Sequence, residues 1–210
     1  GKDGVSGVLI FSSGSASSGN SGQIWMGTGS ATDGRGGRVM LSVGSGTSGA
    51  GGSLQGFAGR STVNTGGAVS LASGEGTATS SGMVTIRTSN SGQTGSSGML
   101  VFSSGSTNSG NSGSLRFGTG EAESGNGGNI VLTVGSGASG AGGSFQFSAG
   151  RSKARTGGSL SMSSGEGTAT SSGTVTVRSS NSGKLGISGM LVFSSGSSSS
   201  GNSGALWLGS

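Results

Sequence analysis

The chain has 210 residues, of which 52 are Gly, none is Pro, Cys or His, and only 8% are charged, for a net charge of +5. Without Cys there is no disulfide framework and no thiolate metal site, and without His the usual general base and commonest metal ligand are missing. Regular collagen is excluded because Gly does not fall at every third position and Pro is absent.

Such a Gly/Ser excess ordinarily marks a flexible linker. The apolar residues argue otherwise, because they make up 28% of the chain and recur at fixed positions. Take the segment Val8-Leu9-Ile10-Phe11-Ser12-Ser13-Gly14 as the start of a unit. Similar segments begin at Gln23, Arg38, Ser53, Ala68 and Met83, each fifteen residues on. After a sixteen-residue step they resume at Met99, Ser114, Asn129, Ser144, Ser159 and Thr174. After another such step come Met190 and Ala205, which makes fourteen units.

A longer period overlies the first. Met99-Leu100-Val101-Phe102 returns 91 residues later as Met190-Leu191-Val192-Phe193, so six units make one super-repeat. The reading is a single continuous array over 1–210, with super-repeats at 8–98, 99–189 and, in part, 190–210. Gly1-Lys2-Asp3-Gly4-Val5-Ser6-Gly7 matches Gly183-Lys184-Leu185-Gly186-Ile187-Ser188-Gly189. The chain thus starts within a unit and is expected to be an excerpt of a longer array.

Within a unit, position 2 is always apolar: Leu9, Ile24, Val39, Leu54, Val69, Val84, Leu100 and onward. Position 4 is apolar in all but one unit, where Gly56 stands beside Phe57. Position 6 is small in most units, as in Ser13, Thr28 and Ala58. This alternation is the signature of a strand with one buried face, and a local bulge could turn Phe57 inward. The last residue of every unit is Gly, as at Gly22, Gly37 and Gly52, which implies either a positive φ or a close backbone approach. About eight residues remain to return the chain. An antiparallel meander would need a second bulky strand, and the return arm has none. The expected fold is therefore all-β, a parallel β-solenoid (β-helix) of about fourteen 15-residue coils, six per 91-residue super-repeat. Arg60 and Glu75 share position 8 in adjacent units, as do Arg151 and Glu166, and stacked coils would bring each pair together.

Burial of two large side chains per unit falls short of the backbone entropy of fixing fifteen residues. The outward positions suggest where more burial comes from. Val8, Ile10, Met99, Val101, Met190 and Val192 open the super-repeats, and Trp25, Met40, Val131 and Trp207 continue that face. An exposed apolar face of this kind marks an interface. These ten residues form the expected assembly face, and its expected partner is another copy of the chain or another segment of it.

The acids are Asp3, Asp33, Glu75, Glu121, Glu123 and Glu166, and only Glu121 and Glu123 are close in sequence. No catalytic constellation, cofactor site or metal site follows from them. Gly34-Arg35-Gly36-Gly37 lacks the Lys-Ser/Thr ending of a phosphate loop. The basic residues are scattered singly, which argues against a nucleic-acid partner, and no apolar run approaches the ~20 residues of a membrane span. The chain reads as a non-enzyme.

Units such as Gly98-Met99-Leu100-Val101-Phe102-Ser103-Ser104-Gly105 resemble those of β-solenoid ice-binding proteins and of the Gly/Ser-rich arrays in large bacterial and algal surface proteins. The resemblance implies a structural filament, sheath or surface fibre, outside the cell or on its surface. It also admits a module binding ice, mineral or polysaccharide, or an adhesin stalk. Ice-binding solenoids carry a Thr-X-Thr array on one face, whereas position 3 here runs Ile10, Trp25, Met40, Gln55, Ser70, Thr85.

Overall fold

The backbone bends sharply at 17–19, 32–34, 47–49, 62–64 and 77–79, and again at 93–95. These sites are the middle of each return arm, so the fifteen-residue period of the sequence is also a period of the chain path. The structure is a computed structural model and describes residues 6–209. The leading Gly1–Val5, with Lys2 and Asp3, and the final Ser210 lie outside the described residues. The chain divides into two units, Gly1–Ser103 and Ser104–Ser210. The division falls within the first segment of the second super-repeat.

Between bends run seven-residue segments, such as 38–44 and 53–59, without a sharp change of direction. Several of the loops that follow are closed at the base by a hydrogen bond. The Gly52 amide donates to the Gly44 carbonyl at 3.1 Å, Gly67 to Gly59 at 2.8 Å and Gly82 to Gly74 at 2.9 Å. The same three bonds recur one super-repeat later, from Gly143 to Gly135, Gly158 to Gly150 and Gly173 to Gly165. Elsewhere a side chain closes the base: the Ser13 hydroxyl donates to the Gly22 carbonyl at 2.8 Å, and Thr119 to Gly128 at 3.3 Å.

The closing Gly is explained by these necks. Of the two uses expected for it, close approach is the one found. Positive φ among the described residues occurs at Gly14 (76°) and Gly19 (156°), neither of which closes a unit. A Cβ at Gly37 would lie 2.7 Å from the Thr28 Cβ, and one at Gly143 would lie 2.5 Å from the Val134 Cγ1. At Gly52 it would collide with the Val43 Cγ1. From Gly22 to Gly204, every closing Gly has the position-6 side chain of its own unit within 4 Å of that virtual Cβ. The sixteen-residue units keep this pairing, with Gly98 against Thr88 and Gly189 against Ser179. Their extra residue is taken up inside the loop, where the turn falls at 93–95 and 184–186.

Loop interiors follow ordinary turn chemistry. Where position 9 is Ser or Thr, its hydroxyl can accept the amide three residues on. Asn64 donates to Ser61 Oγ at 2.9 Å, Gly110 to Thr107 Oγ1 at 3.2 Å and Arg155 to Ser152 Oγ at 2.9 Å. This is the ST-turn bond.

The expected all-β, parallel β-solenoid is not the fold. Among the described residues there is no helix and no strand, and the path is irregular coil. A solenoid, or β-helix, needs hydrogen bonds from each segment to the next, fifteen residues away. Here the backbone bonds span eight residues and join the two ends of one loop. The physical reason lies in the composition. Two bulky side chains per unit do not offset the entropy of ordering fifteen Gly- and Ser-rich residues, and no strand ladder forms among the described residues. The Phe57 bulge is also absent: Phe57 is 86% exposed, as open as any outward residue.

The neck can be tested directly. Gly143→Ala should push residue 143 away from Val134 and break its bond to the Gly135 carbonyl. A hydrogen bond is worth about 1 kcal/mol net, so its amide should exchange about fivefold faster by NMR. Gly142→Ala, whose Cβ meets nothing within 4 Å, should leave that amide unchanged.

Candidate assembly face

Among the described residues no side chain is buried, apolar or polar. The accessible surface is 21270 Å² for a chain of 19.6 kDa. A compact protein of that mass exposes about 8,600 Å² and its unfolded chain about 28,000 Å². The excess over the compact value, about 12,700 Å², equals roughly eight standard protein–protein interfaces of about 1,600 Å² each.

The apolar side chains nevertheless keep the period-two order of an extended backbone. Phe145 and Phe147, at positions 2 and 4, make an edge-to-face contact with ring centroids 4.5 Å apart. Residues two apart therefore share a face, as they do along any extended chain. Within segments the two faces differ in openness: Leu100 is 47% exposed beside Met99 at 84%. Leu191 and Met190 repeat the contrast.

All ten residues of the expected assembly face are exposed: Val8, Ile10, Trp25, Met40, Met99, Val101, Val131, Met190, Val192 and Trp207. They fall at positions 1 and 3 of the first three units of a super-repeat. In the last three units the same positions carry mostly Ser, Thr and Gln, as in Ser53, Gln55, Ser70 and Thr85. The face therefore alternates in blocks, apolar then polar, along each 91-residue super-repeat. The second face, at positions 2 and 4, is apolar in nearly every unit and is only half covered. Sequence reasoning placed that face in a core, and the structure leaves it open as well.

The tryptophans have a local support that the sequence did not announce. Position 5 is Gly in the second unit of each super-repeat, at Gly27, Gly118 and Gly209. A Cβ at Gly27 would lie 3.0 Å from the Trp25 Nε1, and one at Gly209 would lie 2.8 Å from the Trp207 Nε1. Each indole thus occupies the space that a side chain two residues on would take. The readable signal was Gly at one phase, two residues after each Trp.

The charged residues do not gather. Among the described residues no ion pair joins Arg60 to Glu75, or Arg151 to Glu166. No group of three or more acids that could hold a metal ion occurs among the described residues. A shallow hollow beside Arg178, Ser179, Ser180 and Asn181 is walled by four consecutive residues. No helix among the described residues is long and apolar enough to cross a membrane.

Comparison with family models, with curated proteins and with solved structures finds no match to this chain.

In dilute solution both tryptophans should behave as hydrated indoles. Acrylamide should quench them nearly as fast as a free tryptophan derivative, and Trp25→Phe should remove about half of the signal, since the chain has two Trp. Fluorescence titration checks both.

Proposed function

We propose that this chain is a structural repeat protein that associates with copies of itself to form a filament, sheath or surface fibre, outside the cell or on its surface. The observation that carries this reading is an apolar pattern, repeated every unit, of which the single chain buries no residue. Contiguous exposed apolar surface of this extent marks an interaction site, and a regular ladder is best matched by another regular ladder of the same period. The backbone supports the same conclusion. A folded chain makes about one internal hydrogen bond per residue, whereas here the segments contribute hardly any beyond their necks. Extended segments with free amides and carbonyls can pair with a second chain.

The role needs no catalytic group. The chemistry it uses is apolar burial together with Ser- and Gly-rich loops that keep the segments in water and apart. Pro is absent from every segment, so no residue lacks the amide that intermolecular pairing requires.

Sedimentation across a concentration series tests the proposal. The wild-type chain should pass from monomer to large assemblies above a threshold concentration. Placing Lys at position 3 of three apolar units, as Ile10→Lys, Val101→Lys and Val192→Lys together, should raise that threshold more than about tenfold, through lost burial and like-charge contacts. The same number of charges in polar units, as Gln55→Lys, Ser70→Lys and Gln146→Lys, should move it little. A wild-type chain that stays monomeric throughout would overturn the reading.

A further inference from the structure

One place on the apolar face breaks the pattern. In the second unit of each super-repeat, position 3 runs Trp25, Arg116, Trp207. The intervening Arg is the only cation at position 3 in the chain. Trp25 and Trp207 are exposed to 89% and 87%, and Arg116 is exposed as well. Arg116 makes no hydrogen bond or ion pair with any described residue. Beside it, Gly118 has nothing within 4 Å of its virtual Cβ. The corresponding space beside Trp25 and Trp207 is filled by an indole.

Resting on the self-association proposed above, we infer that Arg116 is a register residue, whose guanidinium stacks on Trp25 or Trp207 of a second copy displaced by one super-repeat. A guanidinium on an aromatic face is favourable, and more so once water is displaced. Two copies set flush would instead place Arg116 against Arg116, two like charges on a face meant to close. Displacement by 91 residues meets Trp with Arg at each overlapping second unit and keeps apolar blocks against apolar blocks. Displacement by any smaller number of units sets at least one apolar unit of each block against a polar one. The open space at Gly118 receives the ring that Arg116 itself does not fill. The super-repeat thus acts as a code for register, and staggered copies leave overhangs from which a fibre can grow.

Cysteine cross-linking reads the register, because the chain has no Cys of its own. Gln23→Cys and Ser114→Cys mark position 1 of the Trp25 and Arg116 units without touching either partner. Copies carrying one are mixed with copies carrying the other and joined with a short bismaleimide, which tolerates either chain direction. The staggered register predicts mixed dimers well above the statistical yield, with Trp207 of one copy and Trp25 of the other shielded from acrylamide. Arg116→Ala should abolish that excess and raise the assembly threshold about fivefold, while Arg116→Lys should retain part of it. Assembly with a statistical or flush cross-linking pattern would overturn the register and leave self-association standing. Arg116→Ala copies that assemble with an unchanged excess would overturn the role of Arg116. A monomeric wild-type chain would overturn both.

Discussion

Every unit depends on one close contact, between the Gly that ends the loop and the side chain at position 6. The two backbones meet there because one of them has no Cβ. With a methyl group in place at Gly37, the Thr28 Cβ would be 2.7 Å away, and the neck would have to open. Several necks are also held by a hydrogen bond, while the contact between closing Gly and position 6 recurs in every unit from Gly22 to Gly204, tight at Gly37, Gly52 and Gly143 and ordinary at Gly189 and Gly204. The neck isolates the loop from the segment. Loop length can then vary by a residue, as in the units starting at Met83 and Thr174, without shifting the phase of the next apolar segment. That conservation of phase allows a 91-residue pattern to exist.

The phase, the segments and the loops were legible in the sequence. Alternation at positions 2 and 4 marked the segments, and the closing Gly marked a fixed phase for which positive φ and close approach were both open. What could not be read was how far the pattern reaches. An alternating strand pattern looks the same whether its partner is the next coil of one chain or a segment of another. The β-solenoid expectation chose the first, and the absence of strands among the described residues removes it. Nothing at Leu9, Ile24 or Val39 states which surface covers them. The outward residues Trp25, Met99 and Trp207 stand exposed, but so do the inward residues Leu9 and Phe11, so exposure does not separate the two sets. The glycine support beneath each indole was missed because Gly27 is one Gly among 52. It acquires meaning only when compared at the same phase with Gly118 and Gly209.

Absence of a core in the single chain is consistent with the composition. Small residues cost little side-chain entropy to order, but they bury little surface, and Gly loses the most backbone freedom of all. A unit with two large side chains cannot hold itself. In the proposed assembly, stability would come from summing many weak, identical contacts, as in other repeat architectures where no single repeat folds alone. The necks make that sum possible by presenting each segment in a fixed phase before any partner arrives. Part of the ordering cost is met locally, by bonds such as Gly67 to Gly59. Association then gains from segments that are already extended.

This arrangement also carries a hazard, which the polar half of the super-repeat answers. Uniform apolar ladders pair in any register and aggregate, because every displacement by one unit is nearly as good as another. Ser53, Gln55, Ser70 and Thr85 interrupt the outward ladder for three units in six. A displacement that is not a whole super-repeat therefore buries hydroxyls and amides against methyl groups, with an unpaired polar group as the penalty. The distinction costs some apolar area and confers specificity of alignment. Arg116 sharpens it at a single phase, where flush copies would oppose two guanidinium groups. In the proposed assembly, weak binding at many sites, filtered by a few disallowed contacts, would let a chain of Gly and Ser with 4% aromatic residues specify one alignment out of many.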